Sequence, residues 1–127
     1  MAEVIVKAET LRGFTQEIFT RVDVPPADAA IQADVLVWAN LRGVDSHGVL
    51  RIPWYVELIE SGLMKARPNI QVLVETPAVL LVEADHAPGP IVTTRVMEQV
   101  IGKAKEAGIC WAILRNTTHQ GALGYYT

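Results

Sequence analysis

Half of the 127 residues are hydrophobic and a fifth are charged, which excludes a disordered, solvating chain. The length suits one domain and is tight for two. Eleven basic against fourteen acidic residues give a net charge of −3 with no basic stripe, so a nucleic-acid partner is not expected.

In chain order, Val4-Ile5-Val6 reads as a short strand or an apolar lead-in. Leu11, Phe14, Ile18 and Val22 then recur at helical spacing and predict an amphipathic helix over Ala8–Arg21. Pro25-Pro26 ends it, and Pro26 suits the first turn of a second helix running to Leu41. Ala27, Ile31, Val35 and Trp38 form one apolar stripe there, but Leu36, Val37 and Leu41 lie off it, so this helix should be covered on several sides. The turn Gly43-Val44-Asp45-Ser46-His47-Gly48 leads into a third helix expected to reach Ser61, with Asp45 or Ser46 as N-cap and Gly62 as stop. Pro53 predicts a kink in it, or two short helices end to end.

The pattern then changes. Ile70–Val74 and Ala78–Val82 are short, β-branched and separated by Glu75-Thr76-Pro77, which predicts a hairpin. Pro88-Gly89-Pro90 opens another helix with Val92, Val96, Val100 and Ala104 on one face and Gly108 as its stop. Ile109–Leu114 is a continuous apolar run, expected as a strand in a sheet covered on both faces. Strand, helix, strand of this length predicts a crossover unit and an α/β fold. A polar, small-residue turn, Asn116 to Gly124, follows, and Tyr125-Tyr126-Thr127 read as the first turn of a helix. So small a sheet would have open edges, and the chain is expected to be the front part of something longer.

Other signals bear on setting. Cys110 is the single cysteine and lies in an apolar run, where it is expected to act as a small buried hydrophobe in a reducing cytoplasm. No apolar stretch approaches the roughly 20 residues that span a bilayer, and the N-terminal residues do not have the pattern of a secretory signal, so no membrane partner is expected. The histidines at 47, 86 and 119 show no ligand-pair spacing, so no metal is expected, and His86 should be exposed.

The cluster Asp45-Ser46-His47-Gly48-Val49-Leu50-Arg51, followed by Tyr55, carries the chemistry. On a continuous helix His47, Arg51 and Tyr55 are four apart and share a face. They would offer a proton donor, a planar fork matched to a carboxylate, and a phenol. The same residues also admit a structural reading: Asp-Ser as a cap, Arg51 paired with Glu57, Glu60 or a backbone carbonyl, and Trp54 and Tyr55 as core. A hydrolase built on Ser46 and His47 is disfavoured, because adjacent helical residues diverge and no nucleophile elbow is present. Gly121-Ala122-Leu123-Gly124 lacks the full dinucleotide fingerprint.

The block from Ala39 to Tyr55, Ala-Asn-Leu-Arg-Gly-Val-Asp-Ser-His-Gly-Val-Leu-Arg-Ile-Pro-Trp-Tyr, closely resembles the signature of the malate/L-lactate dehydrogenase family of the sulfolactate-dehydrogenase type. That family is distinct from the Rossmann lactate and malate dehydrogenases. It also includes ureidoglycolate dehydrogenase, diketogulonate reductase and reductases of cyclic imino acids such as piperideine-2-carboxylate. The resemblance continues through Ala78–Asp85 and Arg115–Tyr126.

It implies an α/β fold with an N-terminal helical segment, residues 1–68, followed by the start of a non-Rossmann nicotinamide-binding sheet domain, residues 69–127. It implies a dimeric oxidoreductase, more than twice this length, using NAD or NADP on a small 2-oxo or 2-hydroxy acid. His47 would be the proton donor, supported by Ser46; Arg51 would hold the substrate carboxylate, with Tyr55 nearby. His119 would be a second active-site histidine, and His119, Gln120, Gly121, Ala122 and Leu123 a loop touching the cofactor. Gln120 is a departure, since the family often has an aromatic residue there. Two other readings stand beside this one: a non-catalytic fragment that associates through the helix Pro26–Leu41, and a cyclic imino-acid reductase of the same family.

Overall fold

The computed structural model describes residues 4–127. Val4–Val6 forms neither helix nor strand, and Val4 and Ile5 are exposed. Helix α1 spans Ala8–Arg21 and α2 spans Pro26–Leu41, with the expected bounds. The chain reverses between them at Asp23, whose φ of 70° is held beside an ion pair to Arg67 at 3.0 Å. Pro26 sits in the first turn of α2, where its missing N–H leaves no bond unmade.

Helix α2 is the centre of the molecule. It is covered on several sides, as its all-round apolar character requires, but the buried set is not the expected stripe: Ala27 is exposed and Ile31 and Trp38 are half-buried, while Ala29, Ala33, Val35, Leu36, Val37 and Ala39 are buried. The stripe fails because α2 packs α1 on one side and a later helix on another, so buried positions spread around the axis. One apolar cluster joins Phe19, Ala29, Leu36, Ile52, Tyr55 and Met64. At roughly 1.5–3 kcal/mol for each large side chain removed from water, this cluster is a principal source of stability.

The third helix differs from expectation. Asp45–His47 and Val49–Arg51 are separate 3₁₀ turns, divided by Gly48 in an extended conformation (φ −92°, ψ −150°), and α3 spans only Ile52–Glu60. The break therefore falls at Gly48 rather than Pro53, which lies in the first turn of α3 and is well tolerated there. Neither Asp45 nor Ser46 caps a helix; their side chains are engaged by Asn40 and His47.

Strands β1 (Gln71–Glu75) and β2 (Val79–Glu83) form the predicted antiparallel hairpin, each shifted one residue along, with a bulge between Val72 and Val74. Helix α4 (Gly89–Ala107) crosses over to β3 (Trp111–Arg115), which pairs parallel to β2 and gives the order β1-β2-β3. A second cluster, Leu80, Val82, Val92 and Val96 with Ala112 and Leu114, fills the space between sheet and α4. Half-buried Cys110 packs against it. The sheet is not covered on both faces: Trp111 is 67% and Ile113 49% exposed. Only one face of β3 meets α4, so its residues alternate. His86 is exposed, as expected.

The loop after β3 folds back over the start of α4. Thr118 donates through its backbone N–H and its hydroxyl to the Ala87 carbonyl, at 3.2 and 2.8 Å. The chain ends in a single 3₁₀ turn, Leu123–Tyr126, tied to α2 by the Tyr125 hydroxyl donating to Asp34 at 2.7 Å. An ion pair between Asp28 of α2 and Arg95 of α4 joins the two halves. Among the described residues no helix is long and apolar enough to cross a membrane.

The contact between the loop and α4 is tight enough to test. A Cβ at Gly89 would lie 2.2 Å from the His119 carbonyl oxygen, so Gly89→Ala must push backbone away. We expect it to lower the unfolding free energy by about 1–3 kcal/mol. Gly102→Ala, on open space in the same helix, should raise it by about 0.5–1 kcal/mol. Urea denaturation of both variants checks the pair; equal effects would contradict the packing described.

Candidate active site

The site forms where the turn after α2 meets the loop after β3. Asn40, in the last turn of α2, organises the first of these. Its Oδ1 accepts the Val49 N–H at 2.9 Å and its Nδ2 donates to the Asp45 carboxylate at 2.7 Å. The amide thus grips the chain on both sides of Gly48. A Cβ at position 48 would fall 2.2 Å from Asn40 Oδ1 and 2.5 Å from its Cγ, so the approach requires a residue without a side chain. Held this way, the two 3₁₀ turns present His47 and Arg51 in succession.

His47 is half-buried, with Nδ1 2.9 Å from the Ser46 hydroxyl. Arg51 donates from Nε to the Ser46 carbonyl at 2.7 Å, and its guanidinium lies 5.5 Å from the centre of the Trp54 ring. The backbone carbonyl, rather than Glu57 or Glu60, is therefore its partner. Among the described residues its terminal amino groups make no hydrogen bond to protein, which leaves the face of the fork open. Contact with the indole holds the planar guanidinium in place while its edge remains available.

His119 arrives from the other element. Its Nδ1 is 2.7 Å from the Tyr55 hydroxyl and accepts the Gly121 N–H at 3.2 Å. Its ring stacks on His47, with centroids 5.6 Å apart and planes inclined by 21°, and meets Trp54 edge-on at 5.2 Å. Tyr55 is fully buried behind it. Burial pushes the Tyr55 phenol well above its ordinary range, so it remains protonated. His119 moves the opposite way: burial, then the charges of His47 and Arg51, lowers its pKa below that of an ordinary imidazole.

Ser46, His47, Arg51, Tyr55 and His119 are thus one cluster. The four-residue spacing read as a continuous helical face is realised instead by two 3₁₀ turns and the first turn of α3. Gln120 leaves the cluster and donates to the Thr93 hydroxyl of α4 at 3.0 Å. Gly121 contributes its N–H, Ala122 is buried, and Leu123 is exposed. Two participants were not singled out by spacing. Trp54 is 37% exposed and supports Arg51 and His119, rather than filling the core. Asn40 carries no local signal, because an asparagine near a helix end is ordinary; only its pairing with a glycine eight residues on hints at the grip.

A family model described as malate/L-lactate dehydrogenase matches residues 6–127. The chain belongs to the malate/L-lactate dehydrogenase family. Malate dehydrogenase of Pyrococcus horikoshii is 44% identical over 121 residues, 95% of this chain and 34% of the relative. A solved structure of malate dehydrogenase from that organism superposes with a TM-score of 0.95 at 43% identity, over 97% of this chain and 35% of the other. L-sulfolactate dehydrogenase of Methanocaldococcus jannaschii is 36% identical over 97% of this chain and 36% of the relative, and a solved structure of sulfolactate dehydrogenase from that organism gives a TM-score of 0.94 over the same shares of each chain. The ureidoglycolate dehydrogenase (NAD(+)) of Escherichia coli is 29% identical over 95% of this chain and 35% of the relative. The chain therefore spans about a third of the length of the curated relatives it matches, the N-terminal part. The family shares this helical entry and small mixed sheet, within which the cluster lies.

The grip on Gly48 makes a prediction for this family segment. Gly48→Ala should displace the Asn40 amide and break both of its bonds, at a cost of about 1–3 kcal/mol. Chemical denaturation measures the loss, and wild-type stability with unchanged His47 resonances would contradict it.

Proposed function

We propose that this segment carries the acid-binding and proton-donating residues of an oxidoreductase that transfers hydride between NAD or NADP and C2 of a small 2-hydroxy or 2-oxo acid, such as malate or lactate. The observation that carries this reading is the convergence of an open guanidinium fork with two imidazoles in one half-buried place. A fork suits a carboxylate, and an imidazole beside it can serve the neighbouring oxygen. Relatives named as dehydrogenases of malate, sulfolactate and ureidoglycolate support the substrate class.

The residues present also fit a nicotinamide. Gln120 uses its amide N–H on Thr93, so its carbonyl oxygen is left to accept from a carboxamide. It borders a cavity of about 320 Å³ together with Thr93, Val96, Ala112, Leu114 and Thr117, one residue along from His119. The place, beside the end of a parallel strand and the start of its crossover helix, is a common one for such ligands. When bound, the nicotinamide gives or takes the hydride.

The protein's own part is positional and protic. Arg51 holds the carboxylate, which fixes the orientation of the adjacent C2. His47 then delivers a proton to the C2 oxygen in the reductive direction and removes it in the other. Ser46 can donate to or accept from Nδ1 of His47, so it keeps the ring oriented through both states. Tyr55 orients His119 from behind. We extend the same reading to a division of the chain near residue 68, a homodimeric assembly and a cytoplasmic setting.

In a family-length polypeptide carrying this segment, His47→Ala should lower kcat by about a hundredfold or more. Retained turnover in the folded variant would exclude the proton-donor role. Arg51→Lys should act chiefly on KM, because a point charge replaces a planar fork; steady-state kinetics with an unchanged KM would count against carboxylate binding.

A further inference from the structure

We propose that His119 is locked as a neutral imidazole with its hydrogen on Nε2, and that it serves as a hydrogen-bond donor to an oxygen of the bound acid rather than as a carrier of protons. The identity of that ligand rests on the function proposed above; the lock itself does not.

The lock follows from what faces Nδ1. A backbone N–H can only donate, and that of Gly121 points at Nδ1 from 3.2 Å. Nδ1 must therefore offer a lone pair. The Tyr55 hydroxyl, 2.7 Å away, donates its hydrogen to the same nitrogen; the His119 carbonyl is more distant at 3.4 Å, and the buried Gln32 amide also neighbours the phenol. In a neutral imidazole the hydrogen then sits on Nε2. An added proton would have to enter at Nδ1. There it would confront the Gly121 N–H and take the acceptor away from Tyr55, a cost that buried donors cannot recover from water.

The surroundings resist rearrangement. Gly121 has a φ of 75°, and a Cβ there would lie 3.2 Å from Val35. Thr118 anchors the preceding loop to Ala87, and Gly89 of α4 abuts the His119 backbone. The neighbouring groups also oppose added charge. His47 stacks on the ring, the Arg51 charge acts on it from the second 3₁₀ turn, and α3 offers Trp54 and the protonated Tyr55. Among the described residues no carboxylate is bonded to the ring and its Nε2 has no protein acceptor.

The two stacked imidazoles therefore differ in kind. Nδ1 of His47 faces a serine hydroxyl, which can donate or accept, so that contact fixes no tautomer. Nδ1 of His119 faces an obligate donor, and that contact fixes one. Its spare Nε2–H, within the influence of the Arg51 charge, suits a carboxylate or carbonyl oxygen.

Long-range 1H–15N correlation spectra of the 127-residue chain, without substrate or cofactor, read the lock directly. We expect the Nε2–H pattern for His119 at about pH 8, persisting at about pH 5.5, where an ordinary imidazole of pKa about 6.5 is mostly protonated. An Nδ1–H pattern, or an imidazolium at the lower pH, would overturn it. Tyr55→Phe should keep the tautomer, through Gly121, and raise the His119 midpoint by about 0.5–1 unit; an unchanged midpoint in the folded variant would remove Tyr55 from the lock. The donor role has its own test in the family-length polypeptide. His119→Gln keeps an N–H but cannot shuttle a proton. It should recover most of the roughly tenfold or larger loss of kcat expected for His119→Ala, whereas a variant as slow as His119→Ala would overturn the assignment. The spectra involve no turnover, so failure of the lock and failure of the dehydrogenase reading are distinguishable.

Discussion

Everything at this site depends on a chain path that the Asn40 amide imposes. By accepting from Val49 and donating to Asp45, it holds the backbone extended at Gly48 and prevents residues 45 to 60 from winding into one helix. A continuous helix would have placed Ser46 and His47 on diverging faces. The broken path instead folds Ser46 under both functional groups, with its hydroxyl on His47 and its carbonyl on Arg51. One serine thus couples the orientation of an imidazole to that of a guanidinium.

The second half of the site depends on long-range packing. Residue 119 meets residue 55 because the crossover through α4 returns the chain over the helical layer, and the loop is then clamped by Thr118 and by the bare backbone of Gly89. Helix α2 supports both halves. It ends in Asn40, and its buried Val35 lies under Gly121. Its Asp28 pairs with Arg95 on α4, so the helical layer and the sheet layer are joined by charge as well as by apolar contact. Breaking that pair would leave a nearly buried carboxylate without compensation, which is costly even where the attraction itself is modest.

Much of this was legible in the residues. Helical periodicity and proline placement located α1 and α2, and β-branched runs bounded by Thr76-Pro77 and Gly108 located the hairpin and the crossover. The block from Ala39 to Tyr55 pointed to the family and to His47 and Arg51 within it. The shared helical face assumed for His47, Arg51 and Tyr55 does not exist as a helix, since a hydrogen bond from an earlier element decides the conformation at Gly48. Coverage of β3 was also overread, because an apolar run does not reveal whether one face or two will find a partner. Asn40 carried no reading and Trp54 only that of a core residue, for the same physical reason: their roles come from neighbours brought in by the fold, and local patterns report only on the chain beside them.

On this reading His47, Arg51 and His119 act as a single site on a small organic acid. The most direct measurement is a titration of the labelled 127-residue chain with oxamate, a small 2-oxo acid analogue, followed by NMR at the side-chain nitrogens of these residues. The account predicts that resonances of both imidazoles and of the Arg51 guanidinium shift together along one binding curve. Shifts confined to other basic groups, or separate curves for His47 and His119, would contradict it.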